Sequence, residues 1–232
     1  PPARDGGVAM DLYMTPQIAL GLMMIIPLIA ALLIPIFGKQ PNIREGVTFV
    51  AGAALLAVVA YLCIDVASGG RPELHLGTFA GKFDFTLKLE PLGATFAAIA
   101  SSLWIVNSVF TLGYMRGNNE KNQTRFFAFV AIAIAAAMGI AASANLITLF
   151  IFYEALTLST FPLVTHTGDY KAKKGGTIYA LILMGTSLAL LLPAIIGTYV
   201  IGSLAVFLLS AVALIPLGLL IGGMGFRADF GG

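Results

Sequence analysis

Charge is what this sequence has least of. Only 10% of its 232 residues are Asp, Glu, Lys or Arg, where soluble domains carry roughly 25%. A chain so poor in charge cannot clothe a water-soluble surface. Cysteine is scarcer still. The single Cys63 excludes a disulfide framework and a cysteine-ligated metal cluster, and it reads as apolar filling. The two histidines, His75 and His166, lie far apart and do not make a metal site. No haem, nucleotide or nucleophile motif is present, so no cofactor and no redox site are expected in this chain. The formal charge of +2 does not point to nucleic acid, because the basic residues sit in short connections.

What is there is apolar, at 59% of the residues, and it comes in blocks. Apolar runs cover about 17–37, 46–64, 91–115, 126–144, 145–166, 175–201 and 203–226. Each is near or above the roughly 20 residues that a helix needs to cross the hydrocarbon core. None shows the alternation of barrel strands. The expected fold is therefore an all-α integral membrane protein of about seven transmembrane helices. Residues 1–16 read as an outer N-terminal segment and 17–228 as one transmembrane domain. Met10 reads as a plausible start, with residues 1–9 upstream of it, and the first span as an uncleaved anchor. The last run holds Pro216 with Gly218, Gly222, Gly223 and Gly225, a density that invites a broken helix.

Two connections carry more information than the rest. "LHLGTFAGKFDFTLKLEP" places Phe83, Phe85, Leu87 and Leu89 on one side, which predicts a short outer β-hairpin bracing a neighbour on the membrane surface. "GIAASANLIT" leaves only a turn around Ser143–Asn145, so the fourth and fifth helices are expected to be adjacent and antiparallel, with Asn145 capping the fifth. Basic residues favour one side of the membrane. Lys39, Arg44, Arg116, Lys121, Arg125, Lys171, Lys173, Lys174 and Arg227 fall together, against Arg4, Arg71, Lys82 and Lys88 on the other. The positive-inside rule then puts the N-terminus outside and the C-terminus inside. The loop lysines read as anchors facing lipid headgroups.

One residue breaks the apolar pattern. "NLITLFIFYEALTLSTFPLVTH" (145–166) would cross the bilayer with Glu154 near its middle, about 13 Å from the turn at 1.5 Å per residue. An acid at that depth costs roughly 2.5–3.5 kcal/mol to insert. Burial penalises the ionised form of a carboxylate and a nearby cation favours it, so an acid poised between the two can take up and release protons. Thr157 and Tyr153 are placed to offer it hydroxyls. His166, at the inner end of the same span, could hand protons on. The alternative is an acid held in a buried pair and used only for packing.

With that acid in place, "SANLITLFIFYEALTLSTFPLV" resembles the fifth-helix signature of the proton-antiporter-like membrane subunits. These occur in Mrp-type multisubunit Na+/H+ antiporters, of which the D-type subunit is nearest in character, in respiratory complex I and in membrane-bound hydrogenases. The signature has a small residue and Asn at the turn, an aromatic-rich run, then an aromatic–Glu pair, here Tyr153–Glu154. "LKLEPLGATFA" and "GTSLALLL" fit the same pattern, though the family often has Asp where this chain has Glu90. The resemblance implies about fourteen helices in two inverted five-helix units, each with a broken helix, so this chain would hold the N-terminal half. It implies a Lys partner for the acid at the broken seventh helix, where "LLIGGMGFRADFG" puts Arg227. Arginine stays protonated where lysine can trade its proton. The resemblance also implies partners: other membrane subunits, a chain carrying the second half, lipid, and H+ or Na+. The rival readings are a transport-inactive subunit that scaffolds a respiratory or antiporter complex, and a seven-helix receptor or retinal protein. A retinal protein needs a Schiff-base lysine inside its last span, and the run 203–226 has none.

Overall fold

The structure is a computed structural model and describes residues 15–79 and 83–201. Helices α1 (Pro16–Ile36) and α2 (Pro41–Ala67) come first, followed by strands β1 (Glu73–Phe79) and β2 (Phe83–Lys88). Then come α3 (Pro91–Gly117), α4 (Gln123–Ala141) and α5 (Leu146–Val164). A sixth span begins as α6 (Tyr170–Thr186) and passes through a π-helical turn at Ser187–Leu191 into α7 (Leu192–Ile201). All six spans are long and apolar enough to cross a membrane. The chain is an all-α multi-pass membrane protein with one small sheet, and the first six apolar runs each hold a helix. The seventh run, 203–226, lies outside the described residues, as does its expected break at Pro216.

Local chemistry sets the helix starts. Pro16, Pro41 and Pro91 open α1, α2 and α3, a position where a missing N–H costs nothing. Thr15 caps α1, its hydroxyl accepting from the Ile18 N–H at 3.3 Å. Every span is apolar nearly all round, the signature of a helix whose outward face meets lipid. On α3 that face carries Leu92, Phe96, Ile99, Leu103, Val106 and Phe110, all exposed.

Packing centres on α4. Its apolar window is 44% buried, against 17% for α5 and for the sixth span. Small residues at helical spacing (Ala128, Ala131, Ala135 and Gly139) let α1, α3 and α5 approach. The core gathers Leu20, Met23, Leu55, Leu62, Trp104 and Met138. Gly139 has no room for a side chain, because a Cβ there would run into the Phe152 ring of α5. Gly139→Ala is therefore expected to lower stability by about 1–3 kcal/mol through overpacking. Gly113→Ala, where a Cβ meets nothing within 4 Å, should be neutral. Thermal unfolding of the two variants in detergent checks both.

The hairpin forms as expected and its job is visible. β1 and β2 pair antiparallel from Glu73↔Lys88 to Phe79↔Phe83, with a bulge between His75 and Gly77. Leu87 and Leu89 are buried, and the Phe85 ring packs on Phe152 of α5 at 5.5 Å. The Lys88 N–H donates to the Ala142 carbonyl at 2.6 Å, and the Ala144 N–H donates to the Thr86 carbonyl at 3.1 Å. The hairpin thus staples the α4–α5 turn. Asn145 joins both jobs: its Oδ1 accepts from the Thr148 N–H at 2.8 Å, and its Nδ2 donates to the Asp84 carbonyl at 2.7 Å. Asn145→Ala removes a cap worth about 1 kcal/mol together with the hairpin link. Faster hydrogen exchange in the first turn of α5 is the expected result, with the core of α4 unaffected.

Candidate functional site

The turn at Asn145 starts α5 at the hairpin end of the bundle, and Glu154 follows nine residues later, about 13 Å along the helix. Both carboxylate oxygens of Glu154 are occluded, and neither has a hydrogen-bond partner among the described residues. Nearly all buried side-chain polar atoms in proteins have such a partner, so each exception calls for an explanation. Of the two hydroxyls expected to serve the acid, those of Thr157 and Tyr153, the first donates to its own helix, as do two further along α5. Thr157 is buried and donates to the Tyr153 carbonyl at 3.0 Å. Ser159 donates to the Leu156 carbonyl at 2.8 Å, and Thr160 to the Thr157 carbonyl at 2.9 Å. Each proton is committed to its own helix, a local bond that such residues make readily. The hydroxyl oxygens keep lone pairs and line the stretch of α5 below Glu154.

His166 lies just past the end of α5, at the bundle end opposite the hairpin. It stands twelve residues from Glu154, about 18 Å along the helix axis, so the two do not meet. Neither ring nitrogen of His166 has a hydrogen-bond partner among the described residues. Its ring meets Phe126 edge-on at 5.2 Å, and its carbonyl accepts from Arg125 Nη2 at 3.3 Å. Burial, and then the Arg125 charge, push the imidazole below its ordinary range, opposed by Glu120 and the Lys121 backbone. The ring is therefore neutral at pH 7. Arg227 lies outside the described residues. Among the described residues, no three His, Cys, Asp or Glu come together as a metal site.

Two features are not announced by the sequence. The first is a π-helical turn at Ser187–Leu191, within "GTSLALLL". Such turns are rare and occur frequently at functional sites. Ser187 is buried there, its hydroxyl donating to the Met184 carbonyl at 3.0 Å. The second is a charge cluster where α2, α3 and α4 meet. Glu45, 5% exposed, accepts from Arg44 Nη2 at 3.0 Å, from Arg116 Nε at 3.1 Å, and closely from Arg116 Nη2. Arg44, 3% exposed, also donates to Gln123 and Thr124 of α4 at 2.9 and 3.2 Å and lies over the Phe127 ring. The charge pattern of the sequence places Arg44 in an inner-side connection. The structure corrects that, because the helix starts at Pro41, ahead of the apolar run, and carries Arg44 and Glu45 inward. The adjacent Arg–Glu pair at the edge of an apolar run is the available signal.

No protein-family model matches the chain. It is 26% identical over 152 residues to NAD(P)H-quinone oxidoreductase subunit 5, organellar chromatophore 1, of Paulinella chromatophora, covering 60% of this chain and 22% of that protein. It is 24% identical over 144 residues to the D-type subunit of the Na+/H+ antiporter of Alkalihalophilus pseudofirmus, covering 62% of this chain and 29% of that protein. Among solved structures, a chain of the membrane-bound sulfane sulfur reductase, an archaeal respiratory membrane complex, superposes with a TM-score of 0.67 at 22% identity. That superposition covers 80% of this chain and 28% of the other, and it shows a shared fold. The chain thus spans less than a third of each of these longer proteins. Within that span, by sequence and by fold, it is a homologue of the antiporter-like membrane subunits found in Mrp-type Na+/H+ antiporters and quinone oxidoreductases.

Proposed function

We propose that this chain supplies the protonatable switch of a proton- or cation-translocating antiporter-like subunit, with Glu154 as the switch. The observation that carries this reading is the Glu154 carboxylate itself: mid-span, occluded, and without a partner among the described residues. Uptake of a proton there neutralises a charge that the surroundings solvate poorly, and release restores it. A second charge near the acid would set which state prevails. Arg227 stands at the position the resemblance gives to a lysine. As a permanent cation, it would hold Glu154 ionised, so proton exchange would require the two to separate.

The oxygens of Thr157 and its neighbours offer acceptors for water on the inner side, and neutral His166 closes that route at the surface. The ion moved is H+, or Na+ held by the carboxylate together with those hydroxyl oxygens. The host is a multisubunit complex of the cytoplasmic membrane, with the N-terminus outside, the C-terminus inside, and further membrane subunits as partners. One of them would be a chain carrying the second half. The test is ΔpH-linked cation exchange, or coupled proton pumping, by the assembled complex with Glu154→Gln. Undiminished transport would sink this reading.

A scaffolding subunit is the second reading. It is favoured by the hydroxyls of Thr157, Ser159, Thr160 and Thr165, which donate to their own backbone instead of to one another. Full activity in the glutamine variant, with assembly lost when the chain is deleted, would select it.

A further inference from the structure

At the end of the bundle opposite the hairpin, a cavity of about 470 Å³ opens between the start of α4 and the α5–α6 connection. Asn122, Arg125, Phe161, Thr165, His166 and Lys173 are among its lining residues. Two cations, Arg125 and Lys173, face this space, and neither makes a salt bridge among the described residues. The nearby acids Glu120 and Asp169 are not in the lining. Helices α4 and α6 both begin beside it, and neither N-cap side chain accepts an N–H of its helix. Two positive helix ends therefore add to the two cations. His166 lines the same space beside them.

We propose that this cavity binds the phosphate of an anionic lipid headgroup. Phosphate is the chemistry that an arginine and a lysine lining one space recognise together. The location argues for a lipid over a soluble phosphate. The cavity begins where apolar α5 ends at Val164, the depth at which headgroups lie. Phe161, one turn deeper, forms an apolar wall against which an acyl chain can start. The site involves no carboxylate of the Glu154 switch and stands on either outcome of the transport test.

The experiment uses the full chain in nanodiscs of phosphatidylcholine doped with spin-labelled phosphatidylglycerol, read as the immobilised fraction. Arg125→Gln and Lys173→Gln should each weaken phosphatidylglycerol association about five-fold, and the double variant about 25-fold. Lys171→Gln, on the same connection but outside the lining, should change it little. Arg125→Lys and Lys173→Arg should retain it, which separates charge from folding. Displacement of the lipid by inorganic phosphate in the wild type, with no preference for phosphatidylglycerol over phosphatidylcholine, would overturn the lipid assignment in favour of a soluble phosphate. Equal immobilisation in wild type and double variant would overturn the site.

Discussion

Glu154→Gln is expected to reduce coupled transport by the assembled complex to background without lowering the stability of the chain. The two halves of that result have one cause. An acid near the middle of a span costs roughly 2.5–3.5 kcal/mol to insert, and here both of its oxygens lack a partner among the described residues. Glutamine has nearly the same shape and never ionises, so among the described residues the folded state loses no bond and sheds the penalty of burying a charge. Its melting temperature should hold or rise. Transport fails because an amide cannot take up and release a proton. Loss of a proton-transfer group typically costs about 10²- to 10⁴-fold in rate, enough to bring exchange to background. Glu154→Asp keeps the chemistry one methylene shorter and should retain part of the activity.

Glu45→Ala should behave in the opposite way, with a large loss of stability whatever its effect on transport. Glu45 neutralises Arg44, whose side chain is 4% exposed, and it ties α2 to Arg116 of α3. Removing one partner of a buried pair leaves an uncompensated charge and costs about 3–5 kcal/mol. Arg116→Ala is milder, because the Arg116 side chain is 46% exposed and water takes over its role; about 1 kcal/mol or less is expected. Replacing Arg44 and Glu45 together by Met and Leu should recover much of the loss, since an apolar pair of similar volume is often neutral. Denaturant unfolding of the single and double variants checks the ordering. A Glu45→Ala protein as stable as wild type would show that the cluster does not clamp these helices.

The fold is legible where one residue type repeats over a whole span. Long apolar runs place α1 to α5 and the sixth span, and the alternation at Phe85, Leu87 and Leu89 places the hairpin. Asn145 announces the tight turn, because a capping side chain between two apolar runs has few other uses. The boundaries are less legible. The apolar run of α2 begins only at residue 46, so Arg44 reads as a charge of the preceding connection. Burial of Arg44 and Glu45 arises from tertiary pairing with Arg116 and Gln123, which are more than seventy residues away in sequence. No residue pattern in "SLALL" signals the π-helical turn. At the site, sequence locates Glu154 and its depth. It places a hydroxyl at Thr157 one turn on, but sequence cannot say whether a threonine donates to a neighbour or to its own helix.

Infrared difference spectroscopy on the assembled complex, recorded while pH is cycled, tests the central claim most directly. If Glu154 is a protonatable switch, a carboxylic C=O band appears and disappears within the pH range of transport, and Glu154→Gln abolishes that band and transport together. The same titrating bands in wild type and in Glu154→Gln would contradict it, showing that Glu154 holds one charge state throughout and that any proton crosses elsewhere.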